Sequence, residues 1–368
     1  MLPIYLAAYA GYIIFGAIWF TYAIWMTSFV RKQMGPGLKF LHKEDPSLGE
    51  KYDCFRRKDI NKWNKCEIYF CALFLFPIRV MIFFWGSFLG SVFLRFGTMC
   101  HNPDKGYSCL RRAFIKCSAY FWSRVALIGL GFYWIRREKL NISDYDPSYP
   151  RDAAEKHKNA PAPIVVSNHV SFIDIFLYMC VREVPSFLAK AEIKKYPIFG
   201  GGATALGTIF LQRDNKDKRN DVTTQIEKRV DDFAKNPGTT PPVLIFPEGT
   251  TSNGEYILSF KKGAFANMTP LRMYAVKYTN KNFSPAFDTL GIGKLFLFIM
   301  LQFRNSVTVY DLGVFYPDYL NLKGEEDWQE YATRVKHIYV KALGLKATDM
   351  GFQDMITYQK NLTKDIEM

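Results

Sequence analysis

The chain has 368 residues, of which 49% are hydrophobic and 17% aromatic, and its formal net charge is +14. The length allows two average domains, or one α/β domain with membrane-embedded additions. The aromatic content points towards lipid, and the positive charge favours anionic partners such as phospholipid surfaces. We expect no nucleic-acid partner, because zinc-finger spacing, RNA-binding aromatic signatures and basic helical arrays are all missing. Seven cysteines without a C-x-x-C pair favour a reducing compartment over a disulfide framework.

The first predicted element is a transmembrane anchor over residues 1–32. Residues 2–30 carry no charge and exceed the roughly 20 residues that cross the hydrocarbon core. Arg31 and Lys32 follow at once, which predicts that this end of the anchor faces the cytoplasm or an equivalent positive side. The basic start and short apolar centre of a cleaved signal peptide are missing. A basic loop is predicted over residues 33–67.

A second apolar stretch, residues 68–94, is interrupted near its middle by Pro77 and Arg79. Proline breaks a helix, arginine in lipid is costly without a partner, and each remaining piece is too short to span. Basic residues flank both ends, so the positive-inside rule predicts that the chain enters and leaves the membrane by the same face. We therefore expect a re-entrant, membrane-embedded hairpin, with interfacial helices completing a region at 68–137.

The pattern changes after residue 138, where a polar linker is predicted over 138–163. Short β-rich runs then alternate with helical ones, which is typical of an α/β domain with a mixed sheet flanked by helices. We assign this catalytic domain to residues 164–350 and a C-terminal tail to 351–368. Strands are predicted at 164–166, 208–211, 243–246, 273–278 and 307–314, and helices at 170–181, 220–235 and 326–343.

The segment 167–174, which reads SNHVSFID, places a histidine and an aspartate five positions apart directly after a predicted strand. Helical neighbours are three or four positions apart, so we expect His169 to lie just before a helix and to fold back onto Asp174. A hydrogen bond to this carboxylate would fix the imidazole tautomer and let His169 act as a general base. The segment also fits a helix capping box of Ser171 and Asp174, which is a structural alternative.

Two further blocks accompany this segment. Residues 207–213 read GTIFLQR and end in Arg213, whose guanidinium can bind phosphate through two parallel hydrogen bonds. A surface ion pair of Arg213 with Asp214 or Glu248 is the structural alternative. Residues 246–250 read FPEGT and follow another predicted strand, although proline and glycine also mark ordinary turns.

Together, the H-x4-D, G-x-x-F-x-x-R and F-P-E-G-T blocks resemble the glycerolipid acyltransferases. The similarity covers roughly residues 70–355 and is strongest to the lysophosphatidylcholine and lysophosphatidylethanolamine acyltransferase branch, which transfers a fatty acyl group from acyl-CoA to a lysophospholipid. Further similarity lies at 76–79, 246–254, 260–265, 315–317 and 342–349. The chain departs from the family at Met273, where the fourth block usually holds proline, and it lacks the calcium-binding loop of some relatives.

The resemblance implies phospholipid synthesis or remodelling by direct attack of a hydroxyl on acyl-CoA, which serves as a co-substrate; no bound cofactor or metal is expected. A covalent acyl-enzyme would need a G-x-S-x-G elbow, which is missing. The catalytic residues implied are His169 and Asp174, and the substrate-binding residues are Gly207, Arg213, Glu248, Gly249 and Thr250. Glu248 would orient Arg213 or the glycerol backbone. Candidates for binding the coenzyme A phosphates are Lys190, Lys194, Lys195, Lys261 and Lys262, for which a solvated basic face is the alternative.

Two alternatives to this function remain at the level of sequence. The acceptor could instead be lysophosphatidic acid, or the chain could be a non-catalytic, lipid-binding subunit of a larger membrane complex. The intact catalytic blocks argue against the subunit. We expect an integral protein of the endoplasmic reticulum with its catalytic domain facing the cytoplasm, a mitochondrial membrane being the alternative. Glycosylation sequons begin at Asn141, Asn267, Asn282 and Asn361, and in this topology they would stay bare.

Overall fold

A computed structural model describes residues 2–35, 46–99, 107–181, 184–211, 217–236, 240–320, 322 and 327–367. The α-helices are α1 (Leu2–Met34), α2 (Pro46–Lys51), α3 (Lys65–Phe70), α4 (Phe76–Thr98), α5 (Cys109–Gly129), α6 (Ala153–Lys156), α7 (Asp174–Met179), α8 (Pro197–Ala205), α9 (Asp217–Lys235), α10 (Ile292–Met300), α11 (Trp328–Leu343) and α12 (Phe352–Glu367). The strands are β1 (Ile135–Lys139), β2 (Ile164–Val166), β3 (Ser186–Lys190), β4 (Ile209–Leu211), β5 (Val243–Ile245), β6 (Tyr256–Ile257), β7 (Leu271–Tyr278), β8 (Val307–Phe315) and β9 (Lys346–Ala347).

Seven strands form one sheet in the order β1-β8-β7-β2-β5-β3-β4, and β6 pairs with β9 separately. Every pair in the large sheet is parallel except β7 with β8, so the predicted mixed α/β sheet is confirmed. The central strand is β2, in which Val166 lies opposite Ile245 of β5 and Met273 of β7. The edge strand β1, the inner strand β3 and the small sheet were not predicted from the sequence.

The central strands are apolar along their whole length because both faces of the sheet are covered. Val165 and Leu244 are buried in a cluster shared with α4, α5, α7 and α10. Their neighbours Ile164 and Val243 are buried in a second cluster, shared with α9 and α11. Parallel strands covered on both sides read as continuous apolar runs, without an alternation of polar residues.

The helix over residues 65–98 is continuous, and the interruption predicted at Pro77 is wrong. A π-helical turn, Cys71–Leu75, joins α3 to α4, and in it the N–H of Phe76 donates to the carbonyl of Cys71, five residues earlier. In the same pattern the N–H of residue 77 would donate to the carbonyl of Ala72, but Pro77 has no N–H. This carbonyl instead accepts the Tyr22 hydroxyl of α1, 2.6 Å away. The π-turn therefore accommodates the proline without ending the helix.

Arg79 is buried, with 3% of its surface exposed. Its backbone partners lie 221 to 224 positions later in the sequence. Its guanidinium donates to the carbonyls of Met300 and Phe303, each at 2.6 Å, and also to the carbonyl of Gln302. These carbonyls lie at the C-terminal end of α10, where unpaired carbonyls carry partial negative charge. Arg79, which would be costly in lipid, thus joins α4 to the α/β domain.

A helical hairpin does form in this region, but it pairs α4 with the next long helix, α5. Gly86 of α4 lies against Val125 of α5, whereas Gly97 lies against Phe114, so the two helices are antiparallel. Small residues allow such close approach. By length and composition, Ala10–Met34 and Lys65–Thr98 could each cross a membrane.

Segments predicted to lie outside the catalytic domain are packed against it. In the predicted basic loop, the buried guanidinium of Arg57 binds Asp288 at 3.1 Å, so this positive charge lies inside the protein. The predicted linker contributes buried Tyr149 to the second cluster. Tyr358, in the predicted tail, is buried in a cluster with Phe55 and with Leu258 of the predicted domain. Chain on both sides of residues 164–350 is therefore packed against the predicted domain.

Candidate active site

Two of the motif blocks converge because they follow neighbouring parallel strands. The strands β2, β5, β3 and β4 are neighbours that run in the same direction. The H-x4-D block follows β2, the F-P-E-G-T block follows β5, and Lys190 ends β3. Ligands of open α/β sheets bind outside the carboxyl ends of such strands. This edge is therefore the candidate active site.

His169 and Asp174 make the hydrogen bond that their spacing predicts. The His169 Nδ1 atom lies 2.9 Å from Asp174 Oδ2, and Asp174 is the first residue of α7. The same oxygen accepts the backbone N–H groups of Val170 at 2.9 Å and Ser171 at 3.0 Å. The carboxylate thus stabilises the turn before the helix, as the structural alternative predicts, and also bonds to the imidazole. The catalytic role of the pair stays a prediction.

The imidazole ring of His169 is oriented by two different contacts. Asp174 accepts from Nδ1, and the ring of Phe246 stacks on the imidazole with centroids 3.9 Å apart. Asp174 is fully buried, whereas 21% of the His169 side chain is exposed. In a neutral imidazole whose Nδ1 donates, Nε2 carries the lone pair. The arrangement can therefore accept a proton at Nε2.

Three polar residues around this pair were missed by the sequence analysis. The Tyr278 hydroxyl at the end of β7 donates to Asp174 Oδ1 at 2.5 Å. The Asn168 side chain bonds to both the N–H and the carbonyl of Val276, at 2.8 and 2.9 Å, and so extends the pairing of β2 with β7. The hydroxyl of Tyr178 contacts the Ser167 hydroxyl. Only the strand order could have revealed β7 as a neighbour.

Glu248 is fully buried and contacts the backbone. Its Oε1 accepts the N–H of His169 and its Oε2 accepts the N–H of Leu258, both at 2.8 Å. Burial raises the pKa of Glu248 to about 8; the two N–H donors oppose this rise, while the charge of Asp174 adds to it. Glu248 therefore holds the main chain at His169. Its predicted contact with Arg213 falls outside the described residues.

The remaining residues of the F-P-E-G-T block are held by neighbouring elements. Gly249 has a left-handed backbone, with φ of +65°, and an added Cβ would lie 2.9 Å from Lys261 Nζ. The backbone N–H of Lys261 donates to the carbonyl of Pro247 at 2.9 Å. Thr250 is buried, and its hydroxyl donates to the sulfur of Met355 in α12. The segment at Lys261 and the helix α12 thus support this turn.

The other predicted binding residues divide by position. Gly207 precedes β4, at the amino end of that strand, and its carbonyl accepts from Arg229 at 3.2 Å. Lys194 and Lys195 are exposed on the turn after β3, and Lys262 is exposed near the F-P-E-G-T turn. Their binding of coenzyme A phosphates stays a prediction. Within the described ranges, no group of three or more His, Cys, Asp or Glu is placed to hold a metal ion.

Comparison with known families agrees with this geometry. A family model described as Acyltransferase matches residues 151–277, which include the histidine–aspartate pair and the F-P-E-G-T turn. The chain thus contains a domain of the acyltransferase family, which agrees with the resemblance of the three blocks to acyltransferases.

Individual proteins of known name are also similar to this chain. The chain is 33% identical to lysophospholipid acyltransferase LPEAT1 of Arabidopsis thaliana over 70% of this chain and 66% of that protein. It is 26% identical to lysophosphatidylcholine acyltransferase 1 of Mus musculus over 79% of this chain and 51% of that protein. The chain therefore spans between 51% and 66% of the length of these two relatives. The crystal structure of 1-acyl-sn-glycerophosphate (LPA) acyltransferase PlsC from Thermotoga maritima aligns with a TM-score of 0.44 at 19% identity, covering 76% of this chain and 94% of that one.

Proposed function

We propose that this protein transfers a fatty acyl group from acyl-CoA to the free hydroxyl of a lysophospholipid of the lysophosphatidylcholine or lysophosphatidylethanolamine class. The observation that carries the proposal is the His169–Asp174 pair, 2.9 Å apart within an acyltransferase domain that is joined to long apolar helices. The similarity to proteins named lysophospholipid acyltransferases supports this class of acceptor.

The chemistry needs a single base and no acyl-enzyme. Nε2 of His169 accepts the hydroxyl proton of the acceptor as its oxygen attacks the thioester carbonyl carbon. Asp174 stabilises the imidazolium that forms. The tetrahedral intermediate then collapses, the carbon–sulfur bond breaks, and the thiol of coenzyme A leaves with the proton from the imidazolium. Arg213 and the five lysines named above are proposed to bind the phosphates of the substrates.

The apolar helices give this chemistry access to its substrates. Both substrates carry a fatty chain, so an enzyme held at the lipid surface meets them where they concentrate. Arg79 joins α4 to α10 of the catalytic domain and so fixes the two parts together. We propose the endoplasmic reticulum membrane with the catalytic domain facing the cytoplasm. Glycosylation at Asn267 in cells would contradict this topology.

The test is acyl transfer by the detergent-purified protein with labelled oleoyl-CoA and a panel of lysophospholipids that includes lysophosphatidic acid. Wild type is compared with His169→Ala, and with His337→Ala as a matched control, because His337 is exposed on α11. We expect transfer to lysophosphatidylcholine or lysophosphatidylethanolamine that falls roughly 10²- to 10⁴-fold in His169→Ala, the usual effect of a general base. The control should match wild type.

The other outcomes of this assay each decide an alternative. Transfer only to lysophosphatidic acid would replace the proposed acceptor. Transfer that survives in His169→Ala would remove this residue from its role as base. A folded wild-type protein that acylates none of the acceptors would favour the non-catalytic, lipid-binding subunit.

A further inference from the structure

A tyrosine closes a chain of three polar side chains behind the proposed base. The last residue of β7, Tyr278, places its hydroxyl 2.5 Å from Asp174 Oδ1. The other oxygen of this carboxylate, Oδ2, accepts from His169 Nδ1 at 2.9 Å and from two backbone N–H groups. The two oxygens therefore have separate tasks, because one faces the imidazole and the other faces Tyr278.

The four donors to Asp174 differ in where they come from. The side chain of His169 and the N–H groups of Val170 and Ser171 all belong to the H-x4-D segment itself. Tyr278 reaches Asp174 from 104 positions away in sequence. A fully buried carboxylate is costly to ionise unless donors surround it. Of these donors, only Tyr278 belongs to another strand, so its hydrogen bond links the pair to β7 of the sheet.

The sheet and its covering residues hold Tyr278 in place. Its strand β7 pairs in parallel with β2, whose end leads into His169, and Asn168 bonds to the backbone of Val276. The buried ring of Phe132 packs edge-on against the Tyr278 ring, with centroids 6.0 Å apart. Burial also raises the pKa of Tyr278 well above its usual range, so the hydroxyl keeps its proton and acts as a donor.

We propose that Tyr278 is a positioning residue for the acyl transfer proposed above, and the inference rests on that function. Its hydroxyl holds the Asp174 carboxylate in the orientation that serves His169, and it disperses part of the carboxylate charge. Without the hydroxyl, the carboxylate would be freer to rotate and would attract the imidazolium more strongly. Loss of the hydroxyl therefore lowers the rate of the chemical step and makes His169 harder to deprotonate.

The test uses Tyr278→Phe, which keeps the ring and removes only the hydroxyl. The matched control is Tyr149→Phe. This substitution also removes the hydroxyl of a buried tyrosine, which bonds to the backbone of Val314 and Tyr316 at a distance from the pair. We expect Tyr278→Phe to lower kcat roughly 10- to 100-fold with KM unchanged, the size of a lost bond to a charged group. The acidic side of its pH–rate profile should move to higher pH by about half a unit. Tyr149→Phe should change neither.

A double-mutant cycle separates positioning from packing. If Tyr278 acts through Asp174, Tyr278→Phe should have little further effect on kcat in an Asp174→Asn background. Equal effects in both backgrounds, or a Tyr278→Phe enzyme with wild-type kcat and pH profile, would overturn the proposal.

An independent measurement keeps the inference testable if wild type transfers no acyl group. The titration of His169 can be followed by NMR of histidine labelled with carbon-13, in wild type and in Tyr278→Phe. A midpoint that moves upward in the variant supports the coupling through Asp174 whatever the reaction is. An unchanged midpoint overturns it, even if the protein is an active acyltransferase.

Discussion

The loops after β2 and β5 begin on adjacent strands, yet their acidic residues act on different parts of the same histidine. Asp174, which begins the helix after the first loop, bonds to the imidazole of His169. Glu248, in the second, bonds to the backbone N–H of His169 and to that of Leu258. Both carboxyl groups are fully buried. An acidic residue of a motif block can therefore bind the main chain rather than a side chain of the candidate site.

The two loops also differ in how their contacts depend on the fold. Asp174 reaches His169 across five positions and a single turn. Glu248 reaches it across 79 positions, through the pairing of β2 with β5. Substitutions of the first acid should therefore act mainly on the chemical step, whereas substitutions of the second should act on stability and activity together.

The largest effect is expected for Asp174→Asn. The amide cannot stabilise the imidazolium as a carboxylate does and can favour the wrong tautomer, so kcat should fall roughly 10³-fold, within the range known for such pairs. KM for the acceptor should stay within about threefold, because Asp174 is buried behind the base. Steady-state kinetics of acyl transfer measure both constants. A variant that keeps a third of the wild-type kcat would contradict the role of the pair.

A smaller effect on rate, with a clear effect on stability, is expected for Glu248→Gln. The side-chain amide has only one oxygen, so the N–H of either His169 or Leu258 loses its acceptor. An unpaired buried donor costs about 1–3 kcal/mol. Because His169 shifts only slightly, kcat should fall about tenfold. Thermal unfolding and kinetics on the same sample compare the two effects, and unchanged stability would exclude this role of Glu248.

The same substitution should alter the pH dependence of stability. The folded protein keeps the Glu248 proton up to a pKa of about 8, whereas an unfolded chain releases it near 4.5. The folded state therefore binds more protons between these values. The stability from this group is complete below pH 4.5 and falls as pH rises through 8. Glu248→Gln should lack this component, which unfolding at pH 5, 7 and 9 would reveal as a flatter curve.

The smallest effect is expected for Gly249→Ala. Its φ of +65° disfavours any other residue, and the added Cβ would press on Lys261. The left-handed backbone should cost about 1–2 kcal/mol of stability. Gly263→Ala is the control, because nothing lies within 4 Å of its added Cβ. Equal unfolding midpoints for the two variants would show that the turn adapts freely.

Much of the candidate site could be predicted from sequence because its central pair is local. The short apolar runs that became β2 and β5 were recognisable, since strands buried on both faces carry no polar residues. The order of the three blocks indicated the family. The sequence analysis could not show that Tyr278 faces Asp174, because no local pattern reports which strands become neighbours in a sheet.

The apolar stretch at 68–94 shows the opposite case. Local rules for Pro77 and Arg79 predicted a break, because each residue is costly inside an isolated helix in lipid. The structure removes both costs through distant groups. Tyr22 donates to the carbonyl that the proline leaves free. The end of α10 supplies carbonyls to Arg79, among them that of Met300, which lies 221 positions later in the sequence.

By itself, the sequence determined the α/β pattern, the apolar segments and the meeting of His169 with Asp174. These features depend on residues a few positions apart, whose geometry the backbone imposes. Tertiary structure alone decided the task of Glu248, the contact of Tyr278 and the burial of Arg57. Each of these polar groups is stabilised by a partner more than 70 positions away, and buried polar groups must find such partners wherever the fold places them.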